Sequence, residues 1–132
     1  AVERQKDSTA DRRLILQGLL HMADLGSSCK QWHFHAKHVV DLEEEFFLQG
    51  DQERELGMPI MPMMDRRKDS LASGQGFFLG KMVRPLLDCT GHFMCAEVRH
   101  ALLANLSVNI KSWEDRLKLQ GKKTAAEFVE LE

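Results

Sequence analysis

Apolar residues recur along this chain at intervals of three and four, and no stretch alternates strictly between apolar and polar. The clearest run is the last. Leu102, Leu106, Ile110, Trp113 and Leu117 fall at spacings of four, four, three and four, which marks one face of a long helix. Near the other end, Asp7 to Thr9 can cap a first helix running to about Asp24, with Ile15, Leu19 and Met22 on one side. A second helix is predicted from about His33 to Gln49, striped by Val39, Leu42 and Phe46 and stopped by Gly50. "DQEREL" then reads as a short helical stretch, and "GMPIMPMMD" as a loop held by two prolines. Asp69 or Ser70 is the expected cap of a further helix that reaches Pro85 and kinks there. Tyrosine is absent and valine and isoleucine are sparse, so the pattern predicts an all-α, multi-helix bundle.

Two of these helices carry more apolar surface than one stripe needs. The first crowds Leu14, Ile15, Leu16, Leu19 and Leu20 together, and the fourth has Phe77, Phe78, Leu79, Met82 and Val83. In a free-standing bundle of this size the opposite faces meet water, which favours narrower stripes. Part of this surface is therefore expected to pack against protein outside the sequence, as in a piece of a larger domain.

Composition narrows the picture only slightly. The chain has 132 residues, 43% hydrophobic and 29% charged, as befits one soluble globular unit. A net charge of -2 gives no reason to expect nucleic acid or an anionic membrane as partner. Cys29, Cys89 and Cys95 form no CxxC pair, so neither a disulfide framework nor a zinc ribbon is suggested, and a reducing, cytoplasmic location fits. No segment has the length and apolarity of a membrane span or the form of a signal peptide.

The residues offer several candidate clusters. His33, His35 and His38 in "HFHAKH" suggest metal, but His35 and His38 share a face while His33 points elsewhere, so packed or solvated histidines are expected instead. His21 and Asp24, three apart, read as a local pair near a helix end. "GQGFFLG" lacks dinucleotide-loop spacing and reads as a helix whose glycines allow a close neighbour. The acidic run "DLEEEFFLQGDQEREL" reads as a solvated face, because successive carboxylates point in different directions around a helix. What remains is a carboxylate at a helix end, an amide (Gln75) beside aromatics, and many methionines.

Four segments, "HMADLGSSCKQW", "EEFFLQGDQERELGMPIMPMMDR", "SGQGFFLGKMVRPLL" and "LLANLSVNIKSW", taken together resemble the C-terminal part of the catalytic domain of class I 3',5'-cyclic-nucleotide phosphodiesterases. The resemblance runs from about Asp11 to Trp113. It implies an HD-type metal phosphohydrolase fold, and hydrolysis of cAMP or cGMP to the 5'-nucleotide by water activated between two divalent cations, zinc with magnesium or manganese. Asp24 matches the family aspartate that ligates the tightly bound metal. Gln75 matches the glutamine that bonds the purine edge, Phe78 the phenylalanine that stacks on the base, and Leu42 the opposite wall. Phe46 and Met63 match other lining positions, and Trp32 an aromatic of structural role after the turn. Ser27 stands where many cAMP-selective members have Asn, Gly74 where Ser is common, and Phe77 where Gly is common, which points to acceptance of both nucleotides.

The family's histidine motifs, which supply the other metal ligands and the general acid, have no counterpart here. Residues 1–132 are thus expected to be a C-terminal portion that contributes the base pocket and one metal ligand, holds no catalytic residue of its own, and is inactive without the N-terminal part. The alternative expectation is a non-catalytic helical fragment that binds a regulatory partner through its apolar faces.

Overall fold

Residues 9–120 are described by the computed structural model, and among them the chain forms helices and turns with no strand. The five α-helices are α1 (Thr9–Asp24), α2 (Trp32–Glu55), α3 (Leu71–Phe78), α4 (Arg84–Thr90) and α5 (Ala96–Gln120). The all-α expectation holds. Thr9 is the first residue of α1, and Asp7 of the predicted cap lies outside the described residues. A 3₁₀ turn, Gly26–Cys29, joins α1 to α2.

Gly50 does not stop α2, and "DQEREL" is no separate element; the helix continues to Glu55. The glycine that ends it is Gly57, in the left-handed region at φ 68°. The Gly57 N–H donates to the Arg54 carbonyl at 3.1 Å and the Met58 N–H to the Glu53 carbonyl at 2.8 Å, the paired bonds of a Schellman motif. Gly50 has a different task. The loop after α2 folds back onto the helix there, and a Cβ at Gly50 would collide with the Met64 carbonyl, 2.7 Å from its carbon. One glycine meets a conformational demand and the other a steric one. Sequence spacing alone does not tell them apart.

The helix predicted to reach Pro85 and kink there changes its winding just before the proline and runs on past it. α3 opens into a π turn at Leu79–Val83 and continues as α4 to Thr90, with Pro85 in the first turn of α4. The wide turn just before Pro85 accommodates its ring and its missing N–H. It also keeps one face in register. Gln75, Leu79, Val83 and Leu87 are all buried at intervals of four. In a pure α-helix each such step overshoots by about 40°. A π turn, at roughly 4.4 residues per turn, takes much of that drift back.

At the start of α3 the Ser70 side chain makes no cap hydrogen bond, and Asp69 instead accepts the Asp65 N–H at 3.2 Å. The cap comes from α2: the buried Glu43 carboxylate accepts the Leu71 N–H at 2.8 Å. This overturns the expectation that the acidic run is a solvated face. Glu43 and Glu53 are buried, and Glu53 accepts the Met61 N–H at 2.8 Å and a Gln49 amide hydrogen at 2.9 Å. Both bonds hold its carboxyl below the usual range. Glu44 and Glu45 do remain at the surface.

The core gathers Met22, Val39, Leu71, Ala72, Leu79, Val83, Leu87, Leu106 and Trp113. α5 lies along α3 and the π turn, and α1 packs on α4. Of the predicted α5 stripe, Leu106 and Trp113 are buried while Leu102, Ile110 and Leu117 are half-buried. The apolar surplus is real: Leu14, Leu16 and Leu20 on α1 are 69%, 66% and 65% exposed, and Phe77 and Met82 also face outward.

These contacts set the effect of filling Gly50. In an exposed helix Gly→Ala gains about 1 kcal/mol, but here the new methyl meets backbone that cannot swing aside. Gly50→Ala is expected to be destabilising by about 2 kcal/mol net, measured by urea unfolding of the protein; a gain in stability would contradict the close approach.

Candidate functional site

Asp24 is the last residue of α1, exposed and without a hydrogen-bond or ion-pair partner among the described residues. A carboxylate at a helix C-terminus faces the negative end of the macrodipole, at a cost of about 0.3–1 kcal/mol. The turn that follows it is held from α5. Asn109 Nδ2 donates to the Ser28 and Lys30 carbonyls, each at 2.9 Å, and Asn105 Nδ2 to the Cys29 carbonyl at 3.0 Å. Ser27 sits half-buried in this turn, and Cys29 is buried deeply enough to push its thiol up to about 11. Sequence reading missed both asparagines. Their signal lies in "LLANLSVNIKSW", where two amides four apart interrupt an apolar face.

The histidine cluster does not converge. His35 is buried, whereas His33 and His38 are exposed. The Trp113 indole N–H donates to His35 Nε2 at 2.9 Å, so the ring proton must sit on Nδ1, which completes no hydrogen bond. Burial lowers the His35 pKa from 6.5 to about 4; the Ser27 carbonyl favours the protonated ring without completing a bond to it, and His38 adds to the lowering. Trp32 meets Trp113 edge-on, with centroids 5.0 Å apart, and Arg116 covers its ring at 4.3 Å, which fits the structural role expected of it. Among the described residues no group of three His, Cys, Asp or Glu side chains could hold a metal ion. These residues do not fit a metal pair. Asp24 stands as a single candidate ligand.

The predicted base-contacting residues fall on two neighbouring helices. Leu42 and Phe46 on α2 and Phe78 on α3 are half-buried, each packed against the core. Gln75 is 7% exposed; its amide makes no hydrogen bond to the described residues, and its polar atoms reach solvent. Met63 stands apart on the loop, 51% exposed and at φ 69°, a left-handed conformation costing a non-glycine residue about 1–2 kcal/mol. The loop also frames a shallow cleft of about 420 Å³ lined by Met58, Ile60, Met61, Pro62, Asp65, Lys68 and Asp69, none of them a predicted base contact.

That loop is fastened by charge as well as by Gly50. Arg54 reaches Asp51 and Asp65, each at 2.7 Å, and Arg66 reaches Asp51 at 2.7 Å and Glu44 at 3.1 Å while lying 5.2 Å over the Phe47 ring. The Arg67 N–H, foremost, lowers the Asp65 carboxyl below its usual range.

A chain whose described residues are helical, with an aspartate, a buried glutamine and a half-buried phenylalanine at these positions, has a counterpart among known families. The family model of the 3'5'-cyclic nucleotide phosphodiesterases matches residues 1–106, and the chain belongs to that family. It is 44% identical over 80 residues to a 3',5'-cyclic-AMP phosphodiesterase, isoform F, of Drosophila melanogaster, covering 61% of this chain and 12% of the relative. A dual specificity calcium/calmodulin-dependent 3',5'-cyclic nucleotide phosphodiesterase 1 of the same fly is 39% identical over 80 residues, 61% of this chain and 10% of the relative. The 1B form of Bos taurus is 43% identical over 75 residues, 57% of this chain and 14% of its own length. The match thus spans about a tenth of these relatives. No described helix is long and apolar enough to cross a membrane.

His35 gives the fold a specific pH dependence. Its folded pKa lies below its unfolded value, so the unfolded chain binds the extra proton and stability falls as pH drops from 6.5 towards 4. The loss is expected to reach about 2 kcal/mol by about pH 5, before most carboxylates titrate. Urea unfolding across that window checks it. His35→Gln, which can still accept from Trp113, should flatten the slope.

Proposed function

We propose that this chain is the purine-binding portion of the catalytic domain of an enzyme that hydrolyses 3',5'-cyclic nucleotides to 5'-nucleotides. The observation that carries the proposal is the Gln75 amide, free of internal partners and open to solvent on an otherwise buried residue, on a helix that also carries Phe78 and neighbours the α2 residues Leu42 and Phe46. A purine edge both donates and accepts, as the amide does, so the two can pair at both ends. Phe78 stacks on the base and Leu42 closes the opposite side, with Phe46, Met63 and Ser27 as the further candidate lining residues.

Asp24 contributes one carboxylate to a divalent cation. Zinc with magnesium or manganese is the proposed pair, but their remaining ligands are not among the described residues, so no chemical step is assigned to this chain. The rest of the catalytic domain would supply them, and would cover the exposed leucines of α1. Ser27, Gly74 and Phe77 favour acceptance of both cAMP and cGMP.

Steady-state kinetics on the full-length protein test the reading. Phe78→Ala and Gln75→Ala are expected to raise KM by tenfold to a hundredfold, on the order of a lost base–aromatic contact, with a smaller change in kcat. Asp24→Ala should abolish turnover and lower bound metal. For the parent enzyme, cAMP and cGMP should differ by less than roughly a hundredfold in kcat/KM, about 2.7 kcal/mol. Absence of turnover on either nucleotide would overturn the proposal.

A further inference from the structure

Glu43 is 3% exposed, and its carboxylate accepts a backbone N–H 28 residues away, that of Leu71 at 2.8 Å. The two ends of that bond belong to the two walls of the purine site. Leu42 and Phe46 flank Glu43 on α2, and Leu71 opens α3, which carries Gln75 and Phe78. Leu71 and Gln75 are four apart and both buried, so they lie on one face about one turn, roughly 6 Å, from each other. Fixing the Leu71 N–H therefore fixes the height and rotation of the Gln75 amide relative to Leu42.

α3 is poorly equipped to fix itself. It has eight residues, of which Gly74 and Gly76 favour helix weakly, and its far end opens into the π turn. Its own N-cap side chain makes no cap hydrogen bond. A carboxylate at a helix N-terminus satisfies an orphan donor and complements the dipole.

We propose that Glu43 is a positioning residue for the purine site: its buried carboxylate tethers α3 to α2 and sets the distance between the glutamine–phenylalanine wall and the leucine wall. The inference rests on the assignment of Gln75 and Phe78 to the base. It adds to that assignment a residue that never meets the nucleotide.

The test uses the full-length protein and two readouts. Glu43→Ala is expected to raise KM for the cyclic nucleotide about tenfold, the scale of a lost helix cap, with kcat within about twofold. Glu43→Gln retains a carbonyl oxygen at the same reach and should keep KM within about threefold of the parent. If Glu43→Ala does not fold, Glu43→Leu takes its place in the comparison with Gln. Amide exchange without substrate should show residues 71–75 exchanging faster in the Ala or Leu variant, with α5 unchanged. An unchanged KM in the folded variant, or an equal loss in Ala and Gln, overturns the tether. Were the parent to turn over no cyclic nucleotide, the base assignment would fall and exchange alone would decide. Faster exchange at 71–75 then upholds the tether, and unchanged protection overturns it.

Discussion

The amide of Asn109 is the fastening on which the rest of the arrangement depends. Fully buried on α5, it uses its two hydrogens on the Ser28 and Lys30 carbonyls, while its Oδ1 is left without a partner. Those carbonyls belong to the turn between α1 and α2, so this side chain determines where α1 ends and α2 begins. Removing it would leave two carbonyls poorly paired, at about 1–3 kcal/mol each. Trp113, four residues on, repeats the device by donating to His35 near the start of α2. α5 thus holds the chain around Asp24 through specific donors, and apolar contact alone would not fix the turn's orientation.

The acidic stretch of α2 shows how unequal similar residues can be. Glu43 and Glu53 are buried and accept backbone N–H groups of the following loop and helix. Glu44 and Asp51 meet arginines nearer the surface. Exposed ion pairs of this kind contribute about 0–1 kcal/mol each, whereas an unsatisfied buried N–H is expensive whatever the salt. The caps, more than the ion pairs, decide where the loop lies. The arginines add register, since Arg66 must reach Asp51 and Glu44 while resting on Phe47.

Much of the helical architecture was legible because burial imposes a period. Leu106 and Trp113 announced the inner face of α5, and the crowded leucines of α1 announced a face that this chain leaves exposed. What failed to show was pairing across the fold. Gly50 and Gly57 look alike in sequence, and only the Met64 carbonyl separates a close approach from a helix stop. Glu43 was hidden in a run of acids, because its partner is a backbone N–H, which leaves no mark in the residue code. Gln75 and Phe78 became candidates through family resemblance. Local spacing gave an amide beside aromatics and nothing to say that the amide would be left without an internal partner.

The π turn at Leu79–Val83 has a further consequence for the length of the chain. A π turn is in effect an α-helix carrying one residue more than its span requires. Around it, Lys81 and Met82 face solvent while Leu79 and Val83 are buried. The surplus is thus stored on the outer side, between the amide-bearing turn and the leucine that anchors α4. Loss of one residue there can be absorbed by tightening the turn to an ordinary helix, with Gln75 and Leu87 kept in place. The segment next to the proposed nucleotide site is, in that sense, the part of the helix most tolerant of a change in length.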